Sequence, residues 1–410
     1  MVKNHYNLEK DIDQIRDNFP ILSKGVYLIS NSLGAVPAGT RNRLLEFINR
    51  WETEGVAAWR SEWWDLSRKT GNQIGSFLGT GDDEITMMTN ATLCHWVALS
   101  TKFERSNKKK NRIIMTTMDF PSIVNAVSKI AEFMEWTVDI VDGEGGVGID
   151  ADKIIERIRE DTLFVATSHV YFKSAYIQDI QKIAASAHEK GAYTLIDGYH
   201  APGIIPIDLH ALGVDFYVGG CLKWLCGGPG TAFLYVRPEI SSQLQPKLTG
   251  WLAHSSPFSF SLEMNYTQNS YRYLSGTPPI PCLYTALAGL EEINKVGITQ
   301  IRSKSIIMTD KIIKMAKERG FTSFSPETNE LRGGSVSLQI PFAFQVKQGL
   351  DERKIQVDFR KGNKKEPDVI RVGPHFYNTE AEINEFFYAV DAIISTGEYR
   401  NYSTNISQVT

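Results

Sequence analysis

The stretch LIDGYHAPGIIPIDLHALGVDFYVGGCLKWLCGGPG, Leu195–Gly230, carries the strongest structural signal in this chain. One short apolar run ends at Asp197, and a second run, Phe216–Val218, is followed shortly by Lys223. Apolar runs of this length are typical of strands that are buried on both faces of a parallel sheet. Polar residues that follow such strands lie together at one edge of the sheet, where open α/β folds bind their ligands.

Strand and helix patterns alternate around this stretch. The predicted strands are Arg112–Thr116, Thr137–Val141, Leu163–Ser168, Tyr193–Ile196 and Thr231–Val236. The helices predicted between them are Ser122–Glu135, Ala151–Glu160 and Ile180–Lys190. This β-then-α order predicts an α/β fold with a mostly parallel sheet that is covered by helices.

The pattern changes after the proline-rich segment Ser275–Cys282. The helices predicted beyond it are Leu283–Val296, Thr299–Arg319 and Thr379–Ile394, with strands at Ser335–Ile340 and Ile370–Val372. Long helices with a few strands indicate a smaller α+β module. We therefore predict an N-terminal arm over residues 1–40 that joins the small domain, a large domain over 41–282, a small domain over 283–400 and a flexible tail over 401–410.

Composition narrows the class of protein. Hydrophobic residues make up 42% and charged residues 22%, a balance typical of soluble globular proteins. The net charge of -3 argues against a general nucleic-acid binder. No apolar run approaches the ~18 residues of a membrane span, and the N-terminus lacks the apolar core of a signal peptide. We expect a cytoplasmic protein without a membrane partner, and the scattered cysteines predict neither a disulfide framework nor a metal site.

Lys223 and Asp197 together point to a specific cofactor. A buried lysine amine opposite a buried carboxylate is the arrangement that pyridoxal 5′-phosphate requires. The lysine forms a Schiff base with the aldehyde, and the carboxylate keeps the pyridine nitrogen protonated so that the ring accepts electrons. The alternative for Asp197 is a cap at the turn that follows its strand.

Four other residues are candidates for the same site. Thr92 ends the segment Thr89–Thr92 before the apolar helix pattern Leu93–Leu99 and would bind a phosphate there; an ordinary helix cap is the alternative, and the two are compatible. Phe120 would stack on a flat ring or belong to the core. Arg371 would clamp a substrate carboxylate or form a surface ion pair. Trp251 would line a pocket or pack in the core.

Segments spread over nearly the whole chain resemble kynureninases. They are SNSLGAVP (Ser30–Pro37), AAWRSEWWDLSRKTG (Ala57–Gly71), DFPS (Asp119–Ser122), DGYHAPG (Asp197–Gly203), VDFYVGGCLKWLCGGPG (Val214–Gly230), GWLAHSSPFSF (Gly250–Phe260), SGTPPI (Ser275–Ile280), VDFRKG (Val357–Gly362) and IRVGPHFYN (Ile370–Asn378). The resemblance implies the aspartate-aminotransferase-like fold (fold type I, class V branch) and a homodimer with its site at the subunit interface. It also implies hydrolytic Cβ–Cγ cleavage of kynurenine or 3-hydroxykynurenine, which gives an anthranilate-type product and alanine.

The resemblance also implies a role for individual residues. Lys223 would be the Schiff-base lysine, Asp197 the partner of the pyridine nitrogen, and His200 a neighbour of the ring. The residues implied around the rest of the cofactor are Thr92, Leu93, Phe120, Ser122 and Ser174, with Trp251 and Thr277 reaching the phosphate from the neighbouring subunit. Ser32 and Arg371 would meet the substrate, Arg371 at its α-carboxylate.

One position departs from the resemblance. Kynureninases usually carry a tyrosine directly before the Schiff-base lysine, where it contacts the phosphate and transfers protons, but Leu222 stands there in this chain. Within a kynureninase reaction, Tyr171, Tyr176 or His169 would have to replace it. The departure keeps open another class V reaction through an external aldimine of a different amino acid, namely transamination, β-elimination, epimerisation or decarboxylation.

Overall fold

A computed structural model describes residues 6–103 and 109–405. Its strands are β1 (Val26–Tyr27), β2 (Ile85–Met88), β3 (Arg112–Thr116), β4 (Thr137–Val141), β5 (Thr162–Ser168), β6 (Tyr193–Asp197), β7 (Phe216–Gly220), β8 (Ala232–Val236), β9 (Thr322–Ser323), β10 (Val336–Gln339), β11 (Ile355–Gln356), β12 (Asp358–Arg360) and β13 (Val369–Val372). Its α-helices are α1 (Ile12–Asp17), α2 (Gly39–Glu54), α3 (Trp64–Leu78), α4 (Ala91–Ser100), α5 (Pro121–Met134), α6 (Ala151–Ile155), α7 (Ile180–Glu189), α8 (Leu209–Leu212), α9 (Pro238–Ser241), α10 (Ile280–Val296), α11 (Ile298–Glu318), α12 (Ala343–Glu352) and α13 (Glu380–Ser395).

The larger sheet has seven strands in the order β2-β8-β7-β6-β5-β3-β4. Strands β7, β6, β5, β3 and β4 are parallel, whereas β8 runs antiparallel to both β7 and β2. Every residue of β5, β7 and β8 is buried, as expected for strands with packed elements on both faces. The predicted α/β fold with a mostly parallel sheet is therefore confirmed.

The predicted elements of this sheet begin and end within one or two residues of the observed ones. The exception is α6, which ends at Ile155 rather than at the predicted Glu160. Its continuation tightens into turns in which Arg157 and Ile158 donate to carbonyls three residues back, and Ile158 stays buried. The prediction was too long because Ile158 is buried at the spacing expected of a helix, although the chain there forms turns. No element was predicted at α2, which buries none of its residues in this chain.

The C-terminal part forms a second, antiparallel sheet with the order β12-β13-β10-β9. Its apolar core contains residues from α11, α12 and α13 together with Val26 and Leu28, because β1 pairs with β11. An N-terminal segment thus packs with the C-terminal module, while the predicted domain boundaries stay a prediction. Residues 406–410 of the predicted tail lie outside the described residues. None of the helices in the described ranges has the length and apolar character needed to cross a membrane.

Candidate active site

The carboxyl ends of β6 and β7 bring the two expected cofactor residues to one edge of the sheet. Asp197 is the last residue of β6 and pairs in register with Val218 of β7. The Asp197 carboxylate is buried and accepts the backbone N–H of Tyr199 at 2.9 Å. Lys223 follows the end of β7 by three residues. The sheet edge is thus the crevice in which open α/β folds bind ligands.

The Lys223 amine lies in direct contact with His200. Its Nζ is 2.5 Å from His200 Nε2. The pKa of Lys223 is lowered to about 7, mainly by burial and then by the Arg371 guanidinium; Asp197 opposes this shift and Arg360 adds to it. Burial and the same cations also lower the pKa of His200 well below its usual range. At neutral pH, His200 is uncharged and much of Lys223 is an unprotonated amine, the form that attacks an aldehyde.

The backbone around Lys223 is fixed by tight packing and hydrogen bonds. A Cβ at Gly34 would lie 2.1 Å from the Lys223 carbonyl oxygen, so only glycine allows these two segments to approach. The indole N–H of Trp224 donates to the His200 carbonyl at 3.0 Å. His375 Nε2 donates in turn to the Trp224 carbonyl at 2.8 Å. Segments from both ends of the chain therefore hold the lysine loop in place.

Two helix N-termini converge near this edge. Thr92 lies in the first turn of α4 and Ser122 in the first turn of α5, and their hydroxyl oxygens are 3.4 Å apart. The Leu93 N–H is already taken by the capping side chain of Asn90 at 2.9 Å, so this amide is not free. The two hydroxyls and the remaining N–H groups of both helix starts suit an anion such as a phosphate.

An aromatic ring faces the lysine. The Phe120 side chain is 40% exposed, and its ring centroid is 5.9 Å from Lys223 Nζ. The edge of Phe172 supports it, with ring centroids 5.2 Å apart at 86°. The preceding Asp119 is buried and accepts hydrogen bonds from Ser168, at the end of β5. Phe120 is therefore held as an exposed flat surface, and assignment to the core is wrong for it.

Arg371 is fully buried, so the alternative of a surface ion pair is also wrong. Its guanidinium donates to the Phe172 carbonyl and to the Asp358 carboxylate, while its Nε has no partner in the described part of the chain. Arg360 lies 3.1 Å from the same Asp358. One carboxylate therefore serves two guanidiniums, which leaves net positive charge beside Lys223. Sequence reasoning missed Asp358 and Arg360, although both belong to the segment VDFRKG.

Among the described residues, four other expected ones make no hydrogen bond or ring contact with the lysine amine. Ser174 is buried and accepts the Tyr176 N–H at 3.3 Å, whereas Ser32 is half-buried in the segment beside the lysine loop. Trp251 packs against other aromatic residues, and Thr277 is exposed. Within the described ranges, no hydrogen bond or ring contact joins Trp251 or Thr277 to Lys223 of the same chain.

The three residues suggested as substitutes for the missing tyrosine point elsewhere. The Tyr171 hydroxyl accepts from Gln178 at 3.1 Å, and Tyr176 stacks on Tyr171 with centroids 6.0 Å apart. His169 Nδ1 pairs with the Tyr217 hydroxyl at 2.9 Å. The described structure places none of the three against the Lys223 amine. The ring of Tyr199, a residue that sequence reasoning passed over within DGYHAPG, is centred 4.9 Å from Lys223 Nζ.

Residues 26–386 match the profile of the family described as Aminotransferase class-V. The chain belongs to this family. It is 30% identical over 382 residues to kynureninase of Pseudomonas fluorescens, covering 90% of this chain and 89% of that protein. It is 27% identical to the uncharacterized aminotransferase YcbU of Bacillus subtilis (strain 168), over 93% and 97% of the two chains. The apo structure of a cysteine desulfurase from Thermococcus onnurineus NA1 has the same fold, with a TM-score of 0.83, 19% identity, and 94% and 98% coverage.

As a member of this family, the chain is an enzyme that uses pyridoxal 5′-phosphate. The site chemistry fits this cofactor group by group. Lys223 offers an unprotonated amine for the aldehyde, and Asp197 a buried carboxylate for the pyridine nitrogen. Thr92 and Ser122 offer hydroxyls at helix starts for the phosphate, and Phe120 an exposed ring for stacking. The cap expected at Asp197 is also present, because Asp197 accepts the Tyr199 N–H at 2.9 Å, and the two roles are compatible.

The electrostatics of this class-V site lead to a testable pH effect. In Arg360→Gln, one of the two guanidiniums that lower the pKa of Lys223 is absent, so this pKa should rise above about 7. Uptake of the cofactor requires the unprotonated amine. The rate at which the apoenzyme gains its visible absorption band should therefore have a higher pH midpoint than in the wild type.

Arg319→Gln is the matched control, because Arg319 pairs with Asp391 on the second sheet's helices and is not among the groups that shift Lys223. Its midpoint should equal that of the wild type. An unchanged midpoint in Arg360→Gln would show that Arg360 does not act on the amine.

Proposed function

We propose that this class-V enzyme is a hydrolase of the kynureninase type. It would cleave the Cβ–Cγ bond of kynurenine or 3-hydroxykynurenine with one water, giving an anthranilate-type product and alanine. The observation that carries the proposal is the Lys223 amine, which contacts His200 and whose pKa is lowered to about 7 by burial and by the Arg371 and Arg360 guanidiniums. The similarity to Pseudomonas fluorescens kynureninase over 90% of this chain supports the choice of substrate.

Lys223 has two tasks in this proposal. Its uncharged Nζ first holds the cofactor and then, once the amino-acid substrate has replaced it there, takes the proton from the substrate Cα. The bound pyridoxal phosphate supplies an electron-accepting ring that makes this proton acidic. Neutral His200, in contact with Nζ, is placed to hold the amine in position by a hydrogen bond.

Four other residues would hold the cofactor in position and set its protonation state. Asp197, an acceptor buried at the end of β6, would keep the pyridine nitrogen protonated. Phe120, whose exposed ring lies near Lys223, would cover one face of the cofactor ring and exclude water from it. Thr92 and Ser122 would anchor the phosphate, which fixes the ring with respect to Lys223.

The basic pair suits the substrate's α-carboxylate. Arg371 and Arg360 share the single carboxylate of Asp358, so their charge is only partly compensated. A carboxylate that approaches the cluster gains charge-assisted hydrogen bonds in a site of low dielectric constant. Ser32, half-buried on the segment that packs against the lysine loop, would contact the same substrate. We therefore assign the α-carboxylate to this side of the site.

The substrate can be tested directly. Purified enzyme loaded with pyridoxal phosphate should convert L-kynurenine or 3-hydroxykynurenine into the corresponding anthranilate and alanine in equal amounts, measured by fluorescence and by amino-acid analysis. Lys223→Ala should release neither product. Absence of both products from wild-type enzyme that carries its cofactor would contradict the hydrolase proposal.

One observation favours a second candidate. Leu222 cannot donate a proton, although a tyrosine usually stands at this position in kynureninases. The 27% identity to YcbU over nearly the whole chain is equally compatible with a different reaction on another amino acid. Spectral changes on addition of single amino acids, followed by assays for a keto acid, ammonia, carbon dioxide or a racemised product, would identify transamination, β-elimination, decarboxylation or epimerisation.

We further propose that the enzyme is a homodimer whose subunits share the site. The aromatic residues next to Trp251 are strongly exposed in the single chain, with Phe258 at 57% and Phe260 at 75%. Exposed apolar clusters of this kind mark interfaces. Trp251 and Thr277 make no hydrogen bond or ring contact with Lys223 of their own chain in the described ranges. They would then reach the cofactor phosphate in the site of the partner subunit. A cytoplasmic location stays a prediction.

Subunit mixing tests this arrangement. Lys223→Ala and Trp251→Ala should each abolish or strongly reduce the spectral response to substrate. Mixed dimers would contain one intact site, with Lys223 from one chain and Trp251 from the other, so an equal mixture should regain about a quarter of wild-type turnover. Turnover that does not exceed the sum of the two separate variants, or a monomeric enzyme, would contradict the shared site.

A further inference from the structure

Because position 222 is not a tyrosine, the proton transfer that this tyrosine carries out in kynureninases has no assigned residue in this chain. Leu222 is half-buried directly before Lys223, and its side chain carries no proton. Tyr171, Tyr176 and His169 have other partners, as described above. A hydroxyl that faces the lysine amine is still needed if the enzyme is to return a proton to its product.

Tyr199 is placed beside that amine by the same sheet edge that positions the cofactor residues. It lies between Asp197 and His200 in sequence, and its ring centroid is 4.9 Å from Lys223 Nζ. The ring lies over Gly220, the last residue of β7. A Cβ there would be 2.3 Å from the ring and 2.6 Å from the hydroxyl oxygen. Glycine at position 220 therefore creates the space that the phenol occupies.

The hydroxyl of Tyr199 is available for chemistry. It makes no hydrogen bond with any described residue, and the side chain is half-buried rather than sealed. The charged and titratable groups that face it are Asp197, Cys221, Cys94 and Lys223. Burial, with smaller contributions from the first three, raises the pKa of Tyr199 above its usual range. At neutral pH the phenol therefore keeps its proton and can donate it.

We propose that Tyr199 is a catalytic residue that takes the place of the tyrosine missing at position 222. The proposal rests on the proposed function and names its second proton-transfer group. Lys223 Nζ takes the proton from the substrate Cα. Water adds to the γ-carbonyl, and as the Cβ–Cγ bond breaks the Tyr199 O–H protonates Cβ. The proton that the water loses on becoming part of the carboxyl product passes to the phenolate, and the Lys223 ammonium returns its own proton to Cα. Both residues end in their starting states, and no reactant beyond this water is required.

Tyr199→Phe tests this proposal because it removes only the hydroxyl. We expect the variant to bind pyridoxal phosphate with its visible band and to retain exchange of the substrate α-hydrogen in deuterated water, since Lys223 carries out that step. Turnover should fall by ~10²- to 10⁴-fold, the usual effect of losing a general acid. The double variant Tyr199→Phe, Leu222→Tyr should turn over at least about tenfold faster than Tyr199→Phe alone.

A second readout does not depend on turnover. A single water between the phenol and the free amine would let the phenol donate toward the amine, which favours its unprotonated form. The pH midpoint for cofactor uptake should thus rise by about half a unit in Tyr199→Phe. Tyr235→Phe is the control, because Tyr235 is also buried with an unpaired hydroxyl but lies on β8, and it should change neither readout.

The outcomes separate this inference from the proposed function. If the wild type cleaves kynurenine and Tyr199→Phe cleaves it equally fast, the role of Tyr199 is overturned and the hydrolase proposal stays intact. If the wild type releases no anthranilate, the hydrolase proposal fails, and the pH midpoint decides the placement of Tyr199. A raised midpoint supports the placement of the Tyr199 phenol beside the Lys223 amine, and an unchanged or lowered midpoint overturns that placement.

Discussion

The arrangement of this site depends on how the Lys223 amine is kept uncharged. An isolated lysine is protonated at neutral pH and cannot attack an aldehyde. Here burial at the sheet edge and two neighbouring guanidiniums bring its pKa to about 7, against the opposing effect of Asp197. The same environment keeps His200 neutral, so the two nitrogens make a close contact without repelling charges.

This constraint explains why the site draws on both apolar cores of the chain. The large sheet supplies Lys223, Asp197 and His200, whereas Arg371, Arg360 and Asp358 come from β12 and β13 of the second sheet. His375, just beyond β13, reaches the backbone of the residue after Lys223. The guanidiniums and one hydrogen bond to the lysine loop therefore both come from the C-terminal module.

Much of this arrangement can be read from the sequence, for identifiable reasons. Short apolar runs that precede Asp197 and Lys223 predicted the strands β6 and β7, and parallel pairing then placed both residues at one edge of the sheet. Asp358 and Arg360 could not be found in this way, because β12 has only three residues and its pairing with β13 sets their positions. Tyr199 was equally hidden, since its approach to the lysine depends on the missing side chain of Gly220 across the neighbouring strand. Residues that act across a subunit interface leave no such pattern in one chain.

Identification of the lysine that holds the cofactor tests this account most directly. The chain has other lysines that are shielded from solvent, including buried Lys173, which pairs with Glu366, and half-buried Lys304, whose pKa burial lowers to about 8. Borohydride reduction of the loaded enzyme, followed by peptide mapping, should place the pyridoxyl group on Lys223. Labelling of Lys173 or Lys304 instead, with Lys223 unmodified, would contradict it.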